Sequence, residues 1–152
     1  MPKKIIEKYF SEENLKKISN AINEIEKNTS GEIRLCVQEE RGTMEKNKTP
    51  REIAIQQFVM LEMHKTKNRT GVLIHIMITE RKFEIIADEG INSKIEESKW
   101  DEIKEKMIHE FRKENFLEGV LFCIRSIGAT LQTEFPCETD DTDELSNDVV
   151  IK

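Results

Sequence analysis

The sequence predicts an α/β domain: a small mixed, twisted sheet with helices on both faces, a three-layer αβα sandwich. Three observations predict it. Ile33, Leu35 and Val37 alternate with Arg34, Cys36 and Gln38, the period of a strand. The turn Asn68-Arg69-Thr70-Gly71 releases an apolar run from Val72 to Ile78; after a break at Glu80-Arg81, a second run spans Phe83 to Ala87. That pattern reads as a buried strand, a tight hairpin and another strand. Between the first two strands lies a helix, opened by the capping box Thr49-Pro50-Arg51-Glu52 with Pro at its first position. Strand–helix–strand implies a parallel pair with a right-handed crossover, and the hairpin makes the third strand antiparallel.

The remaining elements follow in order. A short fourth strand is a candidate at Ile5 to Phe10. Leu15, Ile18, Ile22 and Ile25 recur at helical spacing after Ser11, a suitable N-cap, and Asn28-Thr29-Ser30-Gly31 ends that helix. In the capping-box helix, Ala54, Phe58 and Leu61 share a face. A helix from about Ser93 places Trp100, Ile103, Met107 and Phe111 on one side, Trp100 as its core anchor. The last helix, about Asn115 to Glu134, carries Phe116, Val120, Ile124, Ile127 and Leu131, widened by Leu117, Leu121 and Cys123. So wide a stripe packs on two sides. Phe135-Pro136 stops it. One domain is expected over residues 1–136, and residues 137–152 read as a mobile acidic tail.

The totals narrow the function classes. The chain has 152 residues, a length that suits one core. Its net charge of −6 disfavours a nucleic-acid binder, which needs a basic face. No run approaches the roughly 20 apolar residues of a membrane helix. The opening MPKKIIEKYFSEEN lacks the apolar region of a signal peptide, so the expected location is cytoplasmic. Cys36, Cys123 and Cys137 have no metal-ligand spacing and an odd count, and read as plain thiols. A monomer is favoured, because Lys82 and Glu84 on the third strand discourage edge pairing.

The strand directions bring acidic groups together. Glu32 opens the first strand at the sheet edge where Asp88 closes the third, beside the turn at Asn68 to Thr70. Glu32, Asp88 and Glu89 are therefore candidate ligands of a divalent cation. Asn92 can add an oxygen, and Asp101 is a more distant candidate two turns into its helix. The bland alternative is N-capping by Asn92 or Ser93, with solvated carboxylates near the positive helix end.

In their order, five pieces resemble the TPM domain family, named for a thylakoid lumen protein, a photosystem-associated protein and a nematode receptor modulator. They are Thr29-Ser30-Gly31-Glu32-Ile33-Arg34, Thr70-Gly71-Val72-Leu73-Ile74, Phe83-Glu84-Ile85 leading to Asp88-Glu89-Gly90-Ile91-Asn92, Trp100 with the helix to Phe111, and Phe116-x-x-Gly119 running to Phe135-Pro136. The resemblance implies the αβα fold and a bound divalent ion, calcium favoured over magnesium. It also implies, as an alternative, acid phosphatase activity at the same site. Where exported members carry Gly-x-Gly and then an acidic residue, this chain has Ala87-Asp88-Glu89-Gly90; showing neither signal nor anchor, it looks like a stand-alone cytoplasmic member.

A phosphatase would also need a basic group, for which Arg34 and Arg69 are nearest, though a strand Arg is more often ion-paired or snorkelling. The chain has no Gly-rich phosphate loop and no Cys-x5-Arg loop. His64, His75 and His109 lack mutual metal spacing, and His75 reads as a hydrogen-bonded core residue. Six acids over Glu138 to Asp148 lack EF-hand spacing and a central Gly. Val149 to Lys152 is apolar enough to dock, on a partner for instance. The reading is a divalent-cation binding or regulatory module. The alternatives are the phosphatase and an adaptor, with an unknown protein partner, of a membrane-associated complex.

Overall fold

The computed structural model describes residues 4–137 and 145–152. Strands β1 (Glu32–Gln38), β2 (Gly71–Met77), β3 (Lys82–Ala87) and β4 (Val150–Ile151) form one sheet in the order β3-β2-β1-β4. β1 and β2 are parallel, from Glu32 opposite Gly71 to Gln38 opposite Met77. β2 and β3 are antiparallel, from Val72 opposite Ala87 to Met77 opposite Lys82. The expected directions of all three strands hold.

Alternation sorts the strand side chains onto two faces. Ile33, Leu35, Val37, Val72, Ile74, Ile76, Phe83 and Ile85 face the main core with helices α2 (Glu12–Glu26), α5 (Glu97–Arg112) and α6 (Phe116–Glu134). Cys36, Leu73 and Ile86 face α3 (Pro50–Met60), packing with Ala54, Phe58 and Met63. Each such large aliphatic or aromatic side chain, once buried, contributes roughly 1.5–3 kcal/mol, so the larger layer carries most of the stability. Ser11 and Thr49 cap α2 and α3 as their types require, Thr49 with the full capping box to Glu52.

Three elements depart from expectation. The residues from Ile5 to Phe10 form no strand: α1 (Lys4–Tyr9) is a helix. Ile6 and Phe10, one turn apart, are both buried, and the Phe10 N–H donates to the Ile6 carbonyl at 2.7 Å. The helix expected from Ser93 begins later. Asp88 caps a four-residue α4 (Glu89–Asn92), and α5 starts at Glu97. Finally, the chain end does not trail away as a tail. Residues 138–144 lie outside the described residues, but β4 pairs parallel to β1 at Cys36 and Val37. Leu145 and Val150 pack on the α3-side core, and the Lys152 N–H donates to the Val37 carbonyl at 2.8 Å. β1 otherwise offers an open ladder, and the apolar end satisfies it. At the far edge, Glu84 of β3 is paired by Arg51 at 3.3 Å and Lys104 at 3.6 Å.

Candidate functional site

The start of β1, the start of β2 and the end of β3 meet at one end of the sheet. The Glu32 N–H donates to the Thr70 carbonyl, and the Asp88 N–H to the Gly71 carbonyl. The turn before β2 is held against α4 through Gly90, whose N–H donates to the Arg69 carbonyl at 3.0 Å. A Cβ on Gly90 would run into the carbonyl oxygens of Asn68 and Arg69. Only glycine permits this approach of two backbones. Arg69 itself is left-handed, with φ of 56°.

That geometry aims the Arg69 guanidinium at the carboxylates. Its Nε lies 2.7 Å from Asp88 Oδ2 and its second terminal nitrogen 2.8 Å from Oδ1, a two-pronged pair. Its other terminal nitrogen is 3.4 Å from Glu89. The hydrogen bonds to Asp88 raise the pKa of Arg69 against partial desolvation, with the charges of Asp88 and Glu89 adding to the effect. Asp88 also accepts from the Glu89 N–H at 2.8 Å as the cap of α4. Its side chain is 5% exposed, whereas that of Arg69 is 41% exposed. The anion is thus fixed in the fold, and the cation lies over it at the surface.

The other expected ligands are engaged elsewhere. Glu32 reaches the same sheet end, but its Oε1 accepts from the Leu145 N–H at 2.6 Å. Asn92 turns back, donating Nδ2 to the Ala87 carbonyl at 2.8 Å. Asp101 lines a shallow depression with Arg51, Glu84 and Lys104. Among the described residues, no group of three or more His, Cys, Asp and Glu side chains is placed to hold a metal. Asp88 and Glu89 do share a cation, and it is a guanidinium. Sequence reasoning named Arg69 only for phosphate. The clue to its pairing was a long cation in the turn before β2, which the antiparallel hairpin sets beside the acidic loop after β3.

A second polar group seals the opposite sheet end. His75 is buried and its Nε2 lies 3.1 Å from Gln38 Oε1, the core role expected of it. Gln38 donates to Glu45 at 2.8 Å, and Gln56 donates to the other oxygen of Glu45 at 2.7 Å. Burial pushes the His75 pKa down to about 4, against the pull of the Glu45 charge. Burial alone would raise the Glu45 pKa. Hydrogen bonds from the Gly42 N–H, Gln38 and Gln56, with the nearby His75, outweigh it and hold the group low. Burial pushes the Cys123 thiol well above its ordinary range, which removes it as a nucleophile.

Comparison with known proteins adds the lineage. A model of the TPM domain matches residues 6–130. The solution structure of the BA42 protein from the psychrophilic bacterium Bizionia argentinensis is 33% identical, with 94% of this chain and 95% of that one covered and a TM-score of 0.84. An N-terminal domain from P. gingivalis shares the fold at 16% identity, covering 82% of this chain and 78% of that one, with a TM-score of 0.66. The N-terminal domain of the cg2496 protein from Corynebacterium glutamicum does so at 11% identity, covering 88% and 80%, with a TM-score of 0.62. No curated protein matches. No helix among the described residues is long and apolar enough to cross a membrane.

Proposed function

Because this chain belongs to the TPM domain family, we propose that it is a binding or regulatory module whose loop edge takes a divalent cation in exchange for Arg69. One observation supports the reading: Asp88 and Glu89 jointly hold a positive charge at the sheet end. An incoming ion displaces the exposed guanidinium and meets the buried Asp88 carboxylate. With two carboxylates in place of a cage, the ion keeps much of its water and binds weakly. Calcium is favoured over magnesium, because calcium accepts irregular oxygen sets and magnesium demands a near-ideal octahedron. The released Arg69 is the signal, a cation presented to a partner only when the ion is bound. We place this module in the cytoplasm, as a monomer.

The test is a titration of metal-free protein with calcium and then magnesium, followed by amide chemical shifts, alongside Asp88→Asn. Saturable shifts over residues 68–70 and 88–92, stronger for calcium and absent in the variant, are expected. Shifts confined to the acidic segment 138–148, or no saturable shifts, contradict the reading. A chromogenic phosphate ester assay addresses the phosphatase alternative. Metal-dependent turnover lost in Asp88→Ala would make the chain an enzyme.

A further inference from the structure

At the sheet end opposite Asp88, a partly open cavity of about 480 Å³ lies between α1, the β2–β3 hairpin, α5 and α6. Small-molecule sites commonly span roughly 300–1,000 Å³. The walls are aromatic and aliphatic. The rings of Tyr9 and Phe116 lie 4.0 Å apart, those of Phe83 and Phe111 4.6 Å apart, and Ile76, Ile78 and Ile108 add aliphatic wall.

Two cations, Arg81 and Arg112, also line this cavity. Neither guanidinium has an ion-pair partner among the described residues. The reason at Arg81 is local. Its chain neighbour Glu80 is clasped by Arg41, with contacts of 2.7 and 2.8 Å, and so is held by another cation. Arg81 is fixed in the turn with φ of 54°. Arg112 ends α5, and its nearby Glu110 accepts instead from Asn115. An apolar pocket with two uncompensated guanidinium groups is complementary to a molecule that is apolar along its body and anionic at one end.

We propose that this cavity binds a small amphiphilic carboxylate, its hydrocarbon body against Tyr9, Phe83, Ile108 and Phe116 and its carboxylate between Arg81 and Arg112. The carboxylate is the committed head group, because its two oxygens match a guanidinium fork. The site is at the far end of the sheet from the cation edge and stands whether or not an ion binds there.

Calorimetric titration of the full chain with octanoate, octanol and octyltrimethylammonium tests it. Octanoate should bind at least about tenfold tighter than octanol, and the ammonium should not bind. Arg81→Asn, chosen because Asn tolerates positive φ, and Arg112→Gln should each weaken octanoate by about three- to tenfold and leave octanol unchanged. Both side chains are exposed, and circular dichroism should show the unaltered fold in both variants. Ile108→Trp, checked for folding by circular dichroism, fills the cavity and should abolish both ligands. Equal affinity for octanoate and octanol, indifference of octanoate to both arginine substitutions, or no saturable binding overturns the proposal.

Discussion

At the end of the sheet where β1 and β2 begin, Arg69 lies across Asp88 and Glu89, Asp88 caps α4, and Glu32 holds the returning chain at Leu145. At the other end, Arg41 takes Glu80, His75, Gln38 and Glu45 close a buried network, and Arg81 and Arg112 are left facing an apolar cavity. The first end spends its charges on one another. The second spends most of them the same way and leaves two cations over. A charge that is paired and hydrogen-bonded holds structure, and a ligand must displace its partner to use it. A charge left beside apolar walls is available at once.

Four perturbations test this contrast, from the largest expected effect downward. Gly90→Ala forces the turn at Asn68 and Arg69 away from α4, and should cost about 3 kcal/mol in urea unfolding. A loss below about 0.5 kcal/mol would mean that the turn yields freely and that Arg69 is not held by it.

Acid should then act on the second end through His75. Its pKa is about 4 in the fold and ~6.5 in the unfolded chain. Between those values the unfolded state binds the extra proton. Stability therefore falls as pH drops from 6.5 toward 4, by about 2–3 kcal/mol, and this contribution levels off below 4. His75→Gln should flatten that part of the profile, and an unchanged slope would contradict the assignment.

Arg41→Gln removes the clasp on Glu80 and the contacts to the carbonyls of Glu45, Lys46 and Lys48, and should lower the urea midpoint by less than the acid effect at His75 does. It also frees Glu80 to neutralise Arg81, so octanoate affinity should fall with it. Stable affinity would show that Arg81 was not open because of Arg41. Removing residues 149–152 uncovers β1 and should cost about 1 kcal/mol, with faster amide exchange at Glu39, whose N–H donates to the Lys152 carbonyl.

Local pattern explains what the sequence made legible. The hairpin, the crossover and the meeting of Glu32 with Asp88 at one sheet end all follow from strand direction, which period and turn residues fix. Side-chain partners do not follow. Whether Asp88 meets an ion or Arg69 depends on a left-handed turn residue and on Gly90 bringing two backbones together. The Leu145 contact with Glu32 spans 113 positions, beyond any local signal. The stretch at Ile6 and Phe10 was too short for period to separate helix from strand. The onset of α5 moved because Asp88 and Glu96 compete as starts in one acidic stretch. The cavity draws its aromatic rings from four elements, so only the assembled fold reveals it.

Arg69→Gln isolates the exchange of guanidinium for ion at Asp88. Calcium affinity at residues 88–92 would be measured by amide shifts in this variant and in the unaltered protein. If the guanidinium is the cation that an ion must displace, the variant should bind calcium about tenfold more tightly, with shifts at the same residues. Equal or weaker binding in the variant, or none in either protein, would contradict the account.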